Sequence, residues 1–349
     1  MSTTMGITMT TTTRTLPVVD IGPYLDPGSS TSQRQQTASI LDKACRDFGF
    51  FYLIGHGVPE GIRAEMLRLG REFFALPAAE KEEISISKSI DKVRGYERLG
   101  ENVTLGKRDV LEGLDIYREL PGENDARLRG RQLWPKQPTC LKEVTLTYVD
   151  RVTKVGKALM CAMADALGKD GSEEAFDKLT QDPFWGLKFI RYPPLSTDEI
   201  AENEKGISCE EHTDYGGLTF LLADEHVKSA LQVQDHEGGW IKADPMPDAY
   251  VVNIGDIINV LTNNEYTATV HRVIHNGNQD RISIPFFFEP SLSAVVEPLK
   301  SCVTDRGIQV PVSKVSYYEH MCNMLYGGRF VEPGAVLDKV IVNEISLKG

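Results

Sequence analysis

The sequence predicts a mixed α and β protein with a β-rich core of the jelly-roll kind, preceded by a helical region and followed by a C-terminal helix. From about residue 184 onward, short apolar runs alternate with turn residues, a texture typical of an all-β barrel or sandwich. Longer segments with apolar residues at helical spacing come before them. The predicted strands of the core are WGLKFIRYP, LTFLLAD, LQVQDHEGGWIKA, YVVNIGDIINVL, TATVHRVIH, RISIPFFFEP and SAVVEPL.

The N-terminal part begins with a tail and contains two strand patterns. The first 15 residues are polar and lack the apolar stretch of a secretory signal, so we expect a disordered tail there. A short strand at 16–27 breaks at a Gly-Pro pair. GFFYLIGHGV at 49–58 is predicted to be a buried strand bounded by glycines.

Helical patterns fill most of the remaining N-terminal part. One helix should begin near Ser32, and a second, EGIRAEMLRLGREFFAL, should stop at Pro77. The stretch 92–135 is mixed and rich in loops. The apolar positions at helical spacing in the first helix are Ile40, Leu41, Ala44 and Phe48.

The longest helical pattern spans 139–168, and a last one covers 312–327. Apolar positions of the long helix include Leu159, Met160, Met163 and Leu167. No repeat or linker separates the regions, so we expect one β-core with helices packed on it. The predicted regions are a tail at 1–15, an N-terminal region at 16–135, a long helical segment at 136–183, the core at 184–295, and a C-terminal strand, helix and tail at 296–349.

Composition and charge exclude several classes of protein. Lysine and arginine number 38 against 50 aspartates and glutamates, so the net charge is −12, which disfavours nucleic acid or an anionic membrane as partner. No run of about 20 apolar residues is present, so no transmembrane helix is expected. The six cysteines are widely spaced without a C-x-x-C pair, which predicts reduced thiols and a cytoplasmic location. The sequence carries no signal for an oligomeric state.

Two histidines and one aspartate stand in an order suited to metal binding. His212, Asp214 and His271, here called the metal triad, can bind one face of an Fe(II) ion and leave the opposite positions open for oxygen. Side chains alternate along a strand, so positions 212 and 214 on one strand would point the same way. Alone, each element has a plainer explanation, a chance His-x-Asp pair or a buried histidine bonded to the backbone. Their combination predicts a metal site.

An arginine and a serine follow the triad on another predicted strand. Arg281-Ile282-Ser283 sets a guanidinium and a hydroxyl on one strand face, a pair suited to a small dicarboxylate. The alternative is an exposed polar strand face. By the same alternation Phe287 should point inward beside the bound acid, whereas Phe286 and Phe288 are predicted to be core.

Sequence motifs follow one another in a characteristic order over roughly residues 16–330. The motifs in the N-terminal part are LPVVDIGPYL, ACRDFGFFYLIGHGV, EFFALPAAEK and RGYERLGE. The C-terminal share is LKFIRYPP, EEHTDYGGLTFLLAD, LQVQ, GGWIKADPMPDAYVVNIGD, HRVIHN, RISIPFFFEP and YYEHMCNMLYG. This order resembles that of the iron(II)- and 2-oxoglutarate-dependent dioxygenases, in their isopenicillin N synthase-like branch.

The resemblance implies a double-stranded β-helix with iron at its mouth. By position, the metal triad matches the family's iron ligands, and Arg281 and Ser283 match the pair that holds the distal carboxylate of 2-oxoglutarate. Tyr192 matches a tyrosine whose hydroxyl assists that grip. The implied reaction couples oxidative decarboxylation of 2-oxoglutarate by O2 to hydroxylation, desaturation or ring rearrangement of a small organic metabolite, in secondary metabolism.

The chain departs from the family pattern beside Tyr192. Many plant members have Asn-Tyr-Tyr where this chain has Ile190-Arg191-Tyr192, so a polar partner for the co-substrate is missing. We expect a small hydrophobic or aromatic substrate. Its candidate contacts are Phe287, Arg191 and, on the loop-rich stretch, Asn102 and Arg94.

Two alternative functions stay open at this point. One is an iron oxidase of the same fold that does not consume 2-oxoglutarate and uses Arg281 and Ser283 for a substrate carboxylate. The other is a non-catalytic small-molecule binding protein on the same scaffold, which the intact metal triad disfavours.

Overall fold

Two β-sheets form the centre of the protein and line a cavity between them. The predicted tail at 1–15, apart from Thr15, and the chain beyond residue 326 lie outside the described residues. The computed structural model describes residues 15–104, 107–120, 127–195, 206–275, 279–307 and 314–326.

Helices and strands alternate in the N-terminal half and strands dominate afterwards. The helices of the described segments are α1 (Gly22–Leu25), α2 (Thr31–Asp47), α3 (Glu60–Phe74), α4 (Ala78–Glu82), α5 (Leu141–Leu167), α6 (Ser172–Leu179), α7 (Asp256–Leu261), α8 (Lys300–Arg306) and α9 (Tyr317–Tyr326). The strands up to the start of the predicted core are β1 (Val18–Asp20), β2 (Phe50–Ile54), β3 (Gly95–Glu97), β4 (Val103–Thr104), β5 (Lys107–Arg108), β6 (Glu112–Tyr117) and β7 (Phe184–Tyr192). The later strands are β8 (Ile207–His212), β9 (Leu218–Ala223), β10 (Leu231–Gln234), β11 (Trp240–Lys242), β12 (Tyr250–Ile254), β13 (His271–Ile274), β14 (Arg281–Glu289), β15 (Val295–Val296) and β16 (Val315–Ser316).

The larger sheet has the strand order β1-β2-β12-β9-β14-β7-β6-β3, and the smaller one has the order β11-β10-β13-β8. Neighbouring strands are antiparallel except for the parallel pair β1 and β2. Strands from the predicted core supply the middle of the larger sheet and all of the smaller one, so the jelly-roll prediction is confirmed. N-terminal strands complete both edges of the larger sheet, which means that the N-terminal region adds strands as well as helices.

Long helices cover the outer face of the larger sheet. The 27-residue helix α5 buries Leu159, Met160 and Met163, as its spacing predicts, and packs on β14. A Cβ atom on Gly156 of this helix would lie 2.6 Å from the ring of Phe288, so only glycine allows this close approach. Phe286 and Phe288 are buried on this side, as predicted, and their neighbours on β14 face the cavity.

A local sequence pattern determines where the first long helix, α2, begins. Ser30 accepts a hydrogen bond from the N–H of Gln33 while the Gln33 side chain accepts one from the N–H of Ser30, a capping box that starts α2. Leu41 and Ala44 are buried, as expected. Ile40 is 41% exposed, so the apolar stripe is narrower than the sequence predicts.

Two predicted elements differ from the structure. YVVNIGDIINVL was expected to be one strand, but β12 ends at Ile254 and the residues after Gly255 form helix α7. Nearly every side chain of α7 is buried, which removes the periodicity that would distinguish a helix from a strand. The last helical pattern also begins later than expected, at Tyr317, because Val315–Ser316 pair with β15. No helix in the described segments is long and apolar enough to cross a membrane.

Candidate active site

The side chains of the metal triad converge in the wall of the cavity between the sheets. His212 and His271 face each other across the β8–β13 pair, with ring centroids 4.3 Å apart. Asp214 Oδ1 lies 3.7 Å from Nε2 of His212 and 3.6 Å from Nε2 of His271. One candidate ligand atom from each residue lies within 4.8 Å of the others, which is close enough for all three to share one ion.

The route by which Asp214 reaches the site differs from the prediction. Strand β8 ends at His212, so the two ligands do not come from one regular strand. The carbonyl of Asp214 accepts the N–H of Asp256, and the carbonyl of Gly216 accepts the N–H of Ile257. These bonds tie the residues after β8 to the start of α7, and they turn Asp214 toward the histidines.

Neighbouring groups orient each ligand of the triad. Nδ1 of His212 donates to the carbonyl of Glu210 at 2.7 Å, and Nδ1 of His271 donates to the carbonyl of Thr269 at 3.1 Å. The two Nε2 atoms are thereby left for a metal. The other oxygen of the carboxylate, Asp214 Oδ2, accepts hydrogen bonds from Thr219 and Asn253, so that Oδ1 faces the imidazoles.

The protonation states of His271 and Asp214 suit a divalent cation, and His212 must release a proton when one binds. Burial lowers the pKa of His212, but Cys209, Asp214 and the carbonyl of Glu210 outweigh burial and raise it to about 10. Burial and the neighbouring His212 lower the pKa of His271 to about 4, which keeps its imidazole neutral. Burial would raise the pKa of Asp214, but the two histidines and its hydrogen-bond donors lower it below the usual range for an aspartate. Neutral imidazole and ionised carboxylate are the forms that bind metal, and two histidines with one carboxylate fit non-haem Fe(II).

Asp256, beside the triad, should make the stability of the metal-free protein depend on pH. It is 6% exposed, and burial, with a contribution from Asp214, raises its pKa to about 7. A raised folded-state pKa means that stability is present in acid and is lost as pH rises from about 4 through 7. The gain in the free energy of unfolding of Asp256→Asn over that of the wild type should therefore increase with pH, to at most about 4 kcal/mol at pH 8. Urea unfolding of chelator-treated protein at pH 5 and pH 8 measures this gain, and an equal gain at both would contradict it.

A buried arginine at the start of β14 offers the second anchor of the site. Arg281 is 2% exposed, its Nη1 donates to Ser283 at 3.3 Å, and its guanidinium carbon lies 5.0 Å from the centre of the Tyr192 ring. Its Nε has no hydrogen-bond partner among the described residues. A buried guanidinium with an unused donor fits a small carboxylate entering from the cavity, so the three side chains suit the distal carboxylate of 2-oxoglutarate.

Alternation along β14 determines which side chains line the cavity. Arg281, Ser283, Pro285, Phe287 and Glu289 all do so, at every second position. Phe287 thus points inward, as its parity predicts. Its contact with a substrate stays a prediction.

The structure does not bring two of the proposed substrate residues to the cavity. Arg191 lies on the opposite face of β7, where it pairs with Glu112 at 2.7 Å and Asp280 at 2.8 Å. Arg94 is fully buried and donates to Asp91 and to the carbonyls of Tyr117, Arg118 and Leu128. Both assignments were wrong because each guanidinium has partners within the protein. Arg191 neutralises two carboxylates, and Arg94 joins separate segments of the chain. Asn102 does line the cavity, and its side chain donates to Asp109.

Several polar residues of the cavity wall were not found from the sequence. They are Glu97, Asp115, Lys188, Thr219, Asn253 and Glu289. Alternation along β14 continues two residues past Phe287 to Glu289. Alternation along β7, counted back from Tyr192, passes through Ile190 to Lys188. Glu97 and Asp115 lie in the stretch predicted to be loops, where no strand parity was available.

Two protein-family profiles match the chain. The profile described as the N-terminal region of non-haem dioxygenases in morphine synthesis matches residues 16–137. The profile of the 2OG-Fe(II) oxygenase superfamily matches residues 184–290 and contains the metal triad and Arg281.

Curated relatives and solved structures agree with these profiles. A homoarginine-6-hydroxylase of Arabidopsis thaliana is 40% identical over 305 residues, which make up 84% of this chain and 90% of the relative. The crystal structure of JOX2 with 2OG, Fe and JA has a TM-score of 0.75 at 26% identity and covers 93% of this chain and 89% of that one. A Neurospora crassa protein crystallised with alpha-KG and thymine shares the fold, with a TM-score of 0.77 at 23% identity, over 89% of this chain and 96% of that one. The chain therefore belongs to the 2-oxoglutarate- and Fe(II)-dependent oxygenase superfamily and is an enzyme that uses Fe(II), 2-oxoglutarate and O2 to oxidise a small organic metabolite.

Proposed function

We propose that this oxygenase hydroxylates a small cationic metabolite, an amino acid that carries a guanidinium group, with homoarginine as the first candidate. The observation that carries the proposal is the acidic wall of the cavity, here defined as Glu97, Asp115 and Glu289. The similarity to a homoarginine-6-hydroxylase over 90% of that relative's length supports the same substrate class.

The acidic wall brings three carboxylates to a cavity whose lining contains one lysine, Lys188. Lys188 Nζ lies 2.5 Å from Glu97 Oε2 and 3.1 Å from Asp115 Oδ2, so one ammonium serves two carboxylates. Glu289 adds a third. Carboxylates that line a low-dielectric cavity attract a cation and repel an anion.

Charge is separated along the cavity. Arg281 begins β14 and Glu289 ends it, eight residues away, which corresponds to about 26 Å at roughly 3.3 Å per residue. A dicarboxylate at the arginine and a cationic substrate toward the glutamate would each meet the opposite charge. The carboxylates therefore favour a cationic substrate over the hydrophobic one expected from the sequence, and aromatic rings such as Phe287 and Tyr215 can pack on a guanidinium.

We propose the following division of labour among the residues. The metal triad holds Fe(II), and Arg281, Ser283 and Tyr192 hold the distal carboxylate of 2-oxoglutarate. Bound iron and 2-oxoglutarate would let O2 serve as the oxidant, with one of its oxygen atoms ending in succinate, the other in the hydroxylated substrate, and carbon dioxide released. The protein orients the reactants, excludes water and matches their charges.

Homoarginine should stimulate succinate formation by the purified enzyme supplied with Fe(II), 2-oxoglutarate and O2. We expect about a tenfold or larger increase over the rate without substrate, since a bound substrate commits the site to productive turnover. Mass spectrometry should find a product heavier by one oxygen atom or, where the new hydroxyl stands on the carbon bonded to the guanidino nitrogen, the aldehyde and free guanidine into which that carbinolamine breaks down. Either outcome should match succinate in a one-to-one ratio.

A matched comparison uses lysine and the neutral amino acid norleucine in place of homoarginine. Stimulation by norleucine alone would contradict a cationic substrate. Hydroxylated product without succinate would support the iron oxidase that does not consume 2-oxoglutarate.

We further propose a cytoplasmic location and no nucleic-acid partner. All six cysteines are free thiols, which supports a reducing compartment. The net charge of −12 supports a small-molecule partner over a polyanion.

A further inference from the structure

Glu289 is a buried carboxylate at the end of β14 that faces the cavity. It is 2% exposed, and it lies on the same strand face as Arg281 and Phe287. It is not a member of the metal triad, and it lies at the end of the strand opposite to Arg281. Its charge is therefore used neither by the proposed metal site nor by the proposed 2-oxoglutarate site.

The surroundings of Glu289 bind one of its oxygens and supply no counter-charge. Oε2 accepts the N–H of Gly217 at 2.8 Å and the hydroxyl of Tyr317 at 2.6 Å. No lysine, arginine or histidine of the described segments lies within ion-pair distance of Glu289, in contrast to Glu97 and Asp115 of the acidic wall. Burying a carboxylate without a cation is unfavourable, and burial raises the pKa of Glu289 to about 7. A ligand cation would remove this penalty.

Glycines bring this carboxylate close to the segment that carries a metal ligand. Gly216 and Gly217 follow Asp214 in the chain, and a Cβ atom on Gly216 would lie 2.1 Å from both oxygens of Glu289. The negative charge of Asp214 also contributes to the raised pKa of Glu289. A cation held at Glu289 would consequently lie next to the segment that follows Asp214.

We infer that Glu289 binds the cationic group of the substrate and thereby determines both the preference for a cation and the carbon that is oxidised. The inference rests on the proposed function. Carbon 6 of homoarginine carries the guanidinium group, so anchoring that group beside the metal triad presents this carbon for hydroxylation. Tyr317, on α9, is a positioning residue, because its hydroxyl donates to Oε2 of Glu289 and holds the carboxylate in place.

The test compares homoarginine with homocitrulline, in which an uncharged urea of the same shape replaces the guanidinium. Glu289→Gln removes the charge but keeps an oxygen that can accept from Gly217 and Tyr317, so the local structure should persist. We expect the ratio of kcat/KM for homoarginine to that for homocitrulline to fall by about 50-fold, since a hydrogen bond to a charged group is lost. Anaerobic calorimetry should show a matching loss of homoarginine affinity.

Glu112→Gln is the matched control, since Glu112 is also buried but pairs with Lys81 and Arg191 away from the cavity. It should lower Tm and leave the substrate ratio within about twofold of the wild type. If Glu289→Gln does not fold, Glu289→Asp withdraws the charge by one methylene and should lower the ratio by about tenfold. An unchanged ratio in the folded Glu289 variant overturns the inference.

The failure of the inference can be distinguished from that of the proposed function. Wild-type turnover of homoarginine with an unchanged ratio in Glu289→Gln overturns the inference alone. Wild-type turnover of a different cation overturns the homoarginine assignment. The ratio of kcat/KM for that cation to that for its uncharged analogue, compared between the wild type and Glu289→Gln, then decides the role of Glu289. A wild type that accepts only neutral or anionic metabolites overturns both.

Discussion

Asp214→Ala is expected to lose bound iron and to slow 2-oxoglutarate turnover by on the order of a thousandfold or more, as when one member of a set that acts as a unit is removed. Asp214 supplies the carboxylate of the metal triad, and Thr219 and Asn253 hold its second oxygen so that Oδ1 faces the two histidines. Alanine would leave two neutral imidazoles, which bind Fe(II) weakly. Metal analysis after reconstitution, together with succinate formation, measures both effects.

The control for this variant is Asp256→Asn. Asp256 is also a buried aspartate, and its N–H donates to the carbonyl of Asp214 at 2.8 Å, but its side chain is not part of the metal triad. The control protein should keep its full complement of iron. An Asp214→Ala protein that bound iron as tightly as the wild type would remove Asp214 from the proposed ligand set.

Strand alternation accounts for most of the site that could be predicted from the sequence. The sequence alone predicts that Arg281, Ser283 and Phe287 share one face of a strand, and all three line the cavity. The assignment succeeded because β14 is a regular nine-residue strand whose side chains alternate without a bulge between these positions. Phe288 was assigned to the opposite face for the same reason, and it packs against α5.

The position of Asp214 could not be derived in that way. Alternation predicted that Asp214 shares a strand with His212, but the strand ends at His212 and hydrogen bonds from α7 orient the aspartate. Such bonds join residues about forty positions apart in the chain, so a local pattern cannot reveal them. The three residues that converge were therefore predicted together, but for an incorrect local reason.

Charged residues were the least predictable part of the site. Arg94 was assigned to the substrate because it lies on the loop-rich stretch that borders the pocket in the family, and Arg191 because it stands beside Tyr192. Both are paired within the protein. The acidic wall was overlooked because Glu97 and Asp115 come from β3 and β6 at the edge of the larger sheet. This edge is joined to the core by the pairing of β6 with β7, which is a long-range contact. The role of a charge depends on its partner, which the fold determines.

Arg281→Met is expected to raise the KM for 2-oxoglutarate by about a hundredfold, since losing one partner of a buried, hydrogen-bonded charge pair costs about 2–5 kcal/mol. Methionine retains most of the apolar volume beside Tyr192 and removes the guanidinium that would meet the distal carboxylate. The effect should appear equally in the affinity for 2-oxoglutarate, measured by calorimetry with a redox-inert divalent metal in place of iron. Iron content should stay close to that of the wild type, because Arg281 is not a metal ligand.

Arg191→Met is the matched control, as it removes a guanidinium from the neighbouring strand on the face away from the cavity. Its loss should lower Tm, because Glu112 then keeps Lys81 but loses Arg191 as an ion-pair partner, and should leave the KM for 2-oxoglutarate within about twofold of the wild type. If Arg281→Met instead weakened binding of the organic substrate and left 2-oxoglutarate unaffected, the arginine would hold a substrate carboxylate. That result would remove Arg281 from the proposed 2-oxoglutarate site, and the cationic end of the cavity would then belong to the substrate.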